Sequence, residues 1–351
     1  MRERVRIGDL EIGTGCPPVV IAELSANHNR SLDRALAIVD AAAEAGVHGV
    51  KLQTYTPETM TLDLSTDGFV ITDPSSPWYG RTLFDLYTEA HTPWEWHEAL
   101  FQRCRQRGLL VFSTPFDASA VAFLEGLGAP CYKIASFENT DLGLIQTVAQ
   151  RGKPVIISTG MATAAEIDEA INTARREGAQ DVILLKCTSA YPAAPEESHL
   201  LTIPHMRSLF GCPVGLSDHT PGIGTAVAAV GLGAVLIEKH LTLRRADGGV
   251  DAAFSLEPNE MRMLVLEVER AWKALGAVHY GPTSSERPSL ALRRSLYVVE
   301  DMQAGERLSP RTLRAIRPGY GLSPKFYDVL LGRRVAKAVR KGTPVTWDLI
   351  E

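Results

Sequence analysis

The chain has 351 residues, 45% hydrophobic and 22% charged, long enough to bury a sizeable core without disulfides or metal clips. Lys+Arg 36 against Asp+Glu 41 gives a net charge of −5, which excludes the basic footprint of a general nucleic-acid binder but leaves room for a local basic pocket. Five cysteines without a CxxC pair argue against a disulfide framework or structural zinc and for a reducing, cytoplasmic setting.

The N-terminal stretch MRERVRIGDLEIGTG has no apolar run of signal-peptide or anchor length, and the small-residue run near 226–236 is too short and Gly-broken to span a membrane. Short β-rich runs then recur at 19–24, 49–55, 109–116, 131–136, 154–160, 182–191, 213–220 and 235–243. Helical periodicity fills the gaps. In the first, Leu32, Ala35, Leu36, Val39 and Ala43 share one face. After the last run, Met261, Leu264, Val268, Trp272 and Leu275 repeat the stripe. Eight strand–helix units over roughly 265 residues have the size and rhythm of a (β/α)8 TIM barrel. A doubly wound open sheet fits less well, because no GxGxxG follows the first strand.

Residues 56–93 insert a long stretch rich in Pro, Asp, Ser and aromatics, a length that reads as a lid or as a surface excursion with its own helix. The segment GPTSSERP reads as a linker. The chain therefore divides into a barrel over 1–281, a linker over 282–290 and a small domain over 291–351. Strand-like pieces SLYVVE, RVAKAV and TPVTW mark that last part, which is small enough to be expected to dock.

Active sites of such barrels lie where strands end, and polar residues gather there. The first run ends in Glu23, Ser25, Asn27 and His28, and the second carries Lys51 and Gln53. The fourth gives Lys133, Ser136 and Glu138; the fifth, Ser158, Thr159 and Gly160. Lys186, Ser189 and Tyr191 belong to the sixth, Ser217, Asp218 and His219 to the seventh, Glu238 and His240 to the eighth. Alternation along a strand puts Ser217 with His219, and Glu238 with His240. Neighbouring strands lie about 5 Å apart, so both imidazoles can reach one divalent ion, or act as hydrogen-bonded groups of which one is an acid or base. Lys51 and Lys133 face each other across the lumen. Two ammoniums there call for an anion between them, either a bound phosphate or carboxylate or a buried pair with Glu23 or Glu238. Lys186 suggests a Schiff-base lysine, and Cys187 reads as a small core residue.

Taken in order, IAELSANHN, KLQTYTPET, STPFD, YKIASFEN, ISTGMAT, LLKCTSAYPA, GLSDHT, EKHLTL and RPGYGLSP resemble the sialic acid (nonulosonic acid) synthase family from about residue 19 onward. The SANHN variant, the TLFDLYTEAHTPWEWH stretch and RADGGVDAAFSLEP look like its pseudaminic acid branch. The resemblance implies a TIM barrel followed by a small antifreeze-like (SAF) domain, and a homodimer in which that domain is swapped onto the partner barrel. It implies two substrates, phosphoenolpyruvate and an N-acetylated amino sugar, with Mn²⁺, Mg²⁺ or Co²⁺ as cofactor. On this resemblance His219 and His240 hold the metal, and Lys51, Lys133, Ser136, Thr159 and Ser217 bind phosphoenolpyruvate. Glu23 and Glu138 handle protons, with Asp218 as a further catalytic group. Asn27, Tyr191, Asp251 and Arg317 contact the sugar, and Asp218 stands beside them.

Two other classes remain open on residues alone. A Schiff-base aldolase would use Lys186 or Lys133 and need no metal. A carbohydrate- or ice-binding protein would not need ionisable groups inside a barrel. An apolar sugar wall is expected from Trp78, Tyr79, Phe84 and Tyr87 of the insertion.

Overall fold

A computed structural model describes residues 4–74 and 76–351. The chain forms two compact units, one ending at Gly276 and one spanning Ala277–Glu351.

The first unit opens with an antiparallel hairpin, β1 (Arg4–Ile7) and β2 (Leu10–Gly13), turned at Gly8 with φ +59°. Eight parallel strands follow: β3 (Val19–Glu23), β4 (Gly49–Thr54), β5 (Leu110–Pro115), β6 (Tyr132–Ile134), β7 (Val155–Ser158), β8 (Val182–Cys187), β9 (Val214–Asp218) and β10 (Leu236–His240). They close in sequence order, β10 pairing with β3 in the register His240 opposite Glu23. This is the (β/α)8 barrel expected from the rhythm of the chain, not the open sheet.

Side-chain alternation splits each strand between two cores. Val20, Ala22, Val50, Leu52, Ile157, Leu184, Leu216 and Ile237 face the surrounding helices. Ile21, Phe112, Ile156, Ile183, Leu185 and Leu236 face inward and fill the lower lumen together with Val5, Ile7 and Ile12 of the hairpin. The hairpin therefore plugs the barrel floor. Its alternating RVRI and LEIG are the signal for it, an element the run-by-run reading of the sequence passes over.

Local chemistry starts the helices where the periodicity expects them. Ser31 caps Leu32–Ala45, Asp117 caps Ala118–Gly126 and Asp141 caps Leu142–Ala149. Thr163 and Glu166 form a reciprocal capping box at Ala164–Arg176. The insertion holds two helices, Pro57–Met60 and Leu83–Ala90.

The second unit has its own core around Leu296, Val298, Leu313, Leu330, Val335 and Val345. Strands β11 (Ser295–Val298) and β12 (Leu313–Ile316) pair antiparallel. The expected strands RVAKAV and TPVTW are single bridges instead, Met302 with Val339, Val335 with Ile350 and Tyr297 with Pro344. Proline has no N–H to extend a ladder at that last contact.

Candidate active site

Above the packed floor, the inward residues change from aliphatic to ionisable and surround a cavity of about 610 Å³ at the C-terminal strand ends. Four buried groups form its base. Glu23 pairs with Lys51, Lys51 Nζ lies 3.5 Å from Glu238 Oε1, and Lys133 Nζ lies 3.1 and 3.2 Å from the two Glu238 oxygens. Glu238 is thus the anion between the two lysines, and Ser217 Oγ also donates to it at 3.1 Å. Burial alone would raise its pKa, but Lys133 and Lys51 overcome that and hold it at about 2. Glu23 has the opposite balance: burial outweighs Lys51 and pushes it up to about 7. Two lysines against one firmly ionised carboxylate and one near its midpoint leave the base between neutral and singly positive at pH 7, receptive to an anion.

Ser25, just beyond β3, carries φ +45°, a conformation that costs a side-chain-bearing residue energy. Its contacts compensate. The backbone N–H donates to Glu23 Oε1 at 2.8 Å, the hydroxyl bonds Asp251, and Gln53 Nε2 donates to it at 3.1 Å. Along one wall, Ser136 Oγ accepts from the Gly160 N–H at 3.1 Å, and Ser158 Oγ is buried without a partner among the described residues. A Cβ at Gly160 would fall 2.7 Å from Ser136 Oγ and closer still to Ser189 Oγ, so only glycine fits against these two hydroxyls. Glu138 stands nearby with its pKa raised to about 7, chiefly by burial.

On the opposite side, the rings of His219 and His240 lie 5.3 Å apart. His219 Nδ1–H donates to the Thr188 carbonyl at 3.0 Å, which leaves Nε2 its lone pair. Burial, followed by the charges of His219, Lys51, Lys133 and Lys239, drives His240 well below its ordinary pKa, so its imidazole is neutral. His240 Nδ1 is buried without a hydrogen bond among the described residues, 3.7 Å from Asp251 Oδ2. Among the described residues no cluster of three or more His, Cys, Asp or Glu is placed to hold a metal ion. The unused Nδ1 of neutral His240, beside a His219 whose pKa burial would lower but the Cys187 contact raises, so that it gives up a proton on ligation, still fits a divalent ion whose remaining ligands are substrate and water oxygens.

Of the residues to which the resemblance gives a role, nine line this cavity: Lys51, Lys133, Ser136, Glu138, Tyr191, Ser217, His219, His240 and Asp251. Others stand elsewhere. Asp218 is on the outer face of β9, its Oδ2 2.6 Å from Lys239 Nζ and its Oδ1 accepting from Thr220, so its carboxylate is spent in the barrel wall. Thr159 turns its hydroxyl to the Leu185 carbonyl at 3.1 Å. Asn27 holds Leu241 and Ser255 beneath the rim, Glu23 is part of the charged base but fully buried, without lining the cavity, and Arg317 belongs to the second unit, just past β12. Lys186 is also on an outer face, with Nζ on the Cys187 carbonyl and Thr188 Oγ1, which removes it as a lumenal Schiff-base lysine. Cys187, in contrast, faces the cavity beside His219. Burial would raise its thiol pKa, but the His219 contact and neighbouring groups bring it to about 7.

The insertion does cover the cavity. Ile71, Trp78, Leu83, Leu86 and Tyr87 form an apolar wall facing the charged base, and Trp78 Nε1 donates to the Val250 carbonyl at 2.9 Å. Tyr79 is instead 59% exposed, and Phe84 is not among the lining residues.

Polar groups converging at strand ends over a packed floor are how barrel enzymes are built, and this chain is one of them. Its NeuB family match covers residues 38–280, and a SAF domain match covers 293–351. The chain belongs to the NeuB family. It is 42% identical over 337 residues to a pseudaminic acid synthase of Helicobacter pylori, covering 95% of this chain and 98% of that protein. An N,N'-diacetyllegionaminic acid synthase of Legionella pneumophila is 33% identical over 344 residues, covering 97% of this chain and 96% of that one. The solved N-acetylneuraminic acid (sialic acid) synthetase of Leptospira borgpetersenii, in complex with citrate, superposes with a TM-score of 0.73 at 32% identity. That match covers 82% of this chain and 95% of the other.

Proposed function

We propose that this enzyme condenses phosphoenolpyruvate with 2,4-diacetamido-2,4,6-trideoxy-L-altrose to give pseudaminic acid and phosphate. The observation that carries the reading is the meeting of a lysine pair and an imidazole pair in one cavity of a NeuB-family barrel. Greater identity to a pseudaminic than to a legionaminic synthase, 42% against 33%, favours the pseudaminic sugar. An apolar wall over a charged base also suits a deoxygenated, N-acylated sugar.

Lys51, Lys133, Ser136 and Ser217 bind the phosphate and carboxylate of phosphoenolpyruvate. Asp251 and Tyr191 orient the sugar, with Phe254 packed against both imidazoles. His219 and His240 hold a divalent ion, Mn²⁺, Mg²⁺ or Co²⁺, which when bound supplies Lewis-acid polarisation of the sugar aldehyde. The C2=C3 π electrons of phosphoenolpyruvate form the new bond from carbon 3 to the aldehyde carbon, whose oxygen takes a proton, leaving an oxocarbenium at carbon 2. Water then bonds to carbon 2, giving one proton to a carboxylate, and the C–O bond to phosphate breaks as the new hydroxyl passes its remaining proton to the departing phosphate and carbon 2 becomes a ketone. Glu23 and Glu138, both pushed to about 7, are poised to take and give protons at neutral pH. The lysine pair stabilises the anionic groups throughout.

Arg317 serves the sugar in the site of a second copy, so the working unit is a swapped homodimer, and the chain divides at a 282–290 linker. Arg317 and the swapped dimer rest on the family resemblance, the linker on the turn-rich GPTSSERP segment. The five free cysteines support a cytoplasmic setting, and among the described residues no helix is long and apolar enough to cross a membrane.

Phosphate release from phosphoenolpyruvate tests the reading. The altrose sugar, its legionaminic counterpart and N-acetylmannosamine are offered side by side, each with and without EDTA. EDTA-sensitive release with the altrose sugar alone is expected. Release with N-acetylmannosamine instead would keep the mechanism and replace the sugar; silence with all three would overturn the reading.

A further inference from the structure

The loop between Leu241 and Leu256, following β10, carries Asp251 and Phe254 into the cavity. Its neck is closed by backbone bonds, Thr242 N–H to the Leu256 carbonyl and Leu256 N–H to the His240 carbonyl, both 2.9 Å. Beyond the neck, its polar ties concentrate on one short stretch after β3. Asn27 Nδ2 donates to Leu241 O at 3.0 Å and Ser255 Oγ at 2.8 Å, and Asn29 Nδ2 to the Asp247 and Gly248 carbonyls at 3.3 Å. Arg34 spans the junction. Nε donates to the Asn27 carbonyl at 2.9 Å, Nη2 to Thr242 Oγ1 at 3.3 Å, and Nη1 pairs with Asp247 Oδ2 at 2.7 Å.

We propose that Arg34, which does not line the cavity, is a positioning residue that sets Asp251 and Phe254 against His240. One planar guanidinium joins three acceptors on two elements, so the segment after β3 and the loop after β10 move as one piece. The groups so placed are those nearest His240: the Asp251 carboxylate 3.7 Å from Nδ1 and the Phe254 ring centroid 4.9 Å from the imidazole. Lys51, Lys133 and the Ser136 corner lie on or beside other strands, β4, β6 and β7, while Glu23 and Glu238 of the base sit within β3 and β10, held by the barrel ladder and not by this tie. Arg34 therefore acts on the imidazole and sugar side of the cavity and not on the phosphoenolpyruvate side.

The test compares Arg34→Lys and Arg34→Met with the wild type in the full chain. Trypsin cleavage after Arg244 or Arg245 reports whether the loop is held. Titration with Co²⁺, followed by its visible absorption, reports the setting of His240 without turnover. The KM values for sugar and phosphoenolpyruvate report which side of the site is disturbed. The Met variant is expected to be cut faster, to bind Co²⁺ about tenfold more weakly and to raise the sugar KM about as much, with the phosphoenolpyruvate KM unchanged. Lysine, which keeps the charge but not the fork, is expected to fall between. Unchanged cleavage and Co²⁺ affinity, or two KM values rising in step with a falling melting temperature, would overturn the proposal. The KM arm rests on the condensation reading above. If the wild type uses no sugar, that reading fails, while cleavage and Co²⁺ affinity still decide the role of Arg34.

Discussion

Replacing Asp218 with Asn separates a wall residue from a catalytic one. Asp218 is 3% exposed and Lys239 is 0% exposed, and their 2.6 Å contact joins adjacent strands on the helix-facing side of the barrel. Asparagine keeps an oxygen for the Thr220 N–H and hydroxyl but removes the charge that balances Lys239. Breaking one side of a buried pair costs about 3–5 kcal/mol, capped because Lys239 can shed its proton. At roughly 2 °C per kcal/mol for a unit of this size, the melting temperature should fall by about 6–10 °C. Differential scanning calorimetry and urea unfolding measure the loss. Adding Lys239→Met removes the stranded ammonium and should recover most of it. Below its melting temperature the Asn variant should turn over within about threefold of wild type, as no transition-state contact is lost. An Asn variant that melts with the wild type but is inactive would refute the assignment and return Asp218 to the chemistry.

Three further outcomes follow from the site and the floor. Lys133→Ala should remove about 3 kcal/mol of transition-state stabilisation, read as a loss of about a hundredfold in kcat/KM for phosphate release; undiminished turnover would rule out its role. Glu138, with its pKa raised from 4.5 to about 7, binds more protons folded than unfolded between those values, so its contribution to stability is lost as pH rises through that window. Glu138→Gln should therefore be more stable than wild type at pH 8 by up to about 3 kcal/mol and no more stable at pH 4, with parallel urea curves at both pH values counting against the shift. Ile12→Ala, in the floor plug at 0% exposure, should cost about 2–4 kcal/mol in urea unfolding, and a neutral result would mean the hairpin does not seal the lumen.

Strand alternation was legible throughout the barrel because period 2 is a property of the backbone. It puts Ser217 and His219 on the lumen and Glu238 and His240 beside them, where the structure has them. The same rule, applied strictly, assigns Asp218 and Lys186 to the outer face, yet being charged near a strand end made both look functional. Glu238 was legible as an ion-pair partner for either lysine but not as the one anion joining both, because that depends on three strands meeting across the lumen. Trp78 and Tyr87 of the insertion line the cavity while Tyr79 and Phe84 do not, since aromatic content says nothing about which way a long loop turns. The loop after β10 has no period at all. Its place is set by side chains from the opposite end of the barrel sequence, Asn27, Asn29 and Arg34.

The floor plug bears on how the chain is made. Val5, Ile7 and Ile12 leave the ribosome before any barrel strand, yet the surface they seal includes Val235 and Leu236, which emerge more than two hundred residues later. Until β10 arrives and pairs with β3, the hairpin has no complete seat, and its aliphatic side chains stay open to water or to other proteins. Growing chains should thus be most prone to clumping, and most in need of a chaperone, just before the eighth barrel strand is synthesised.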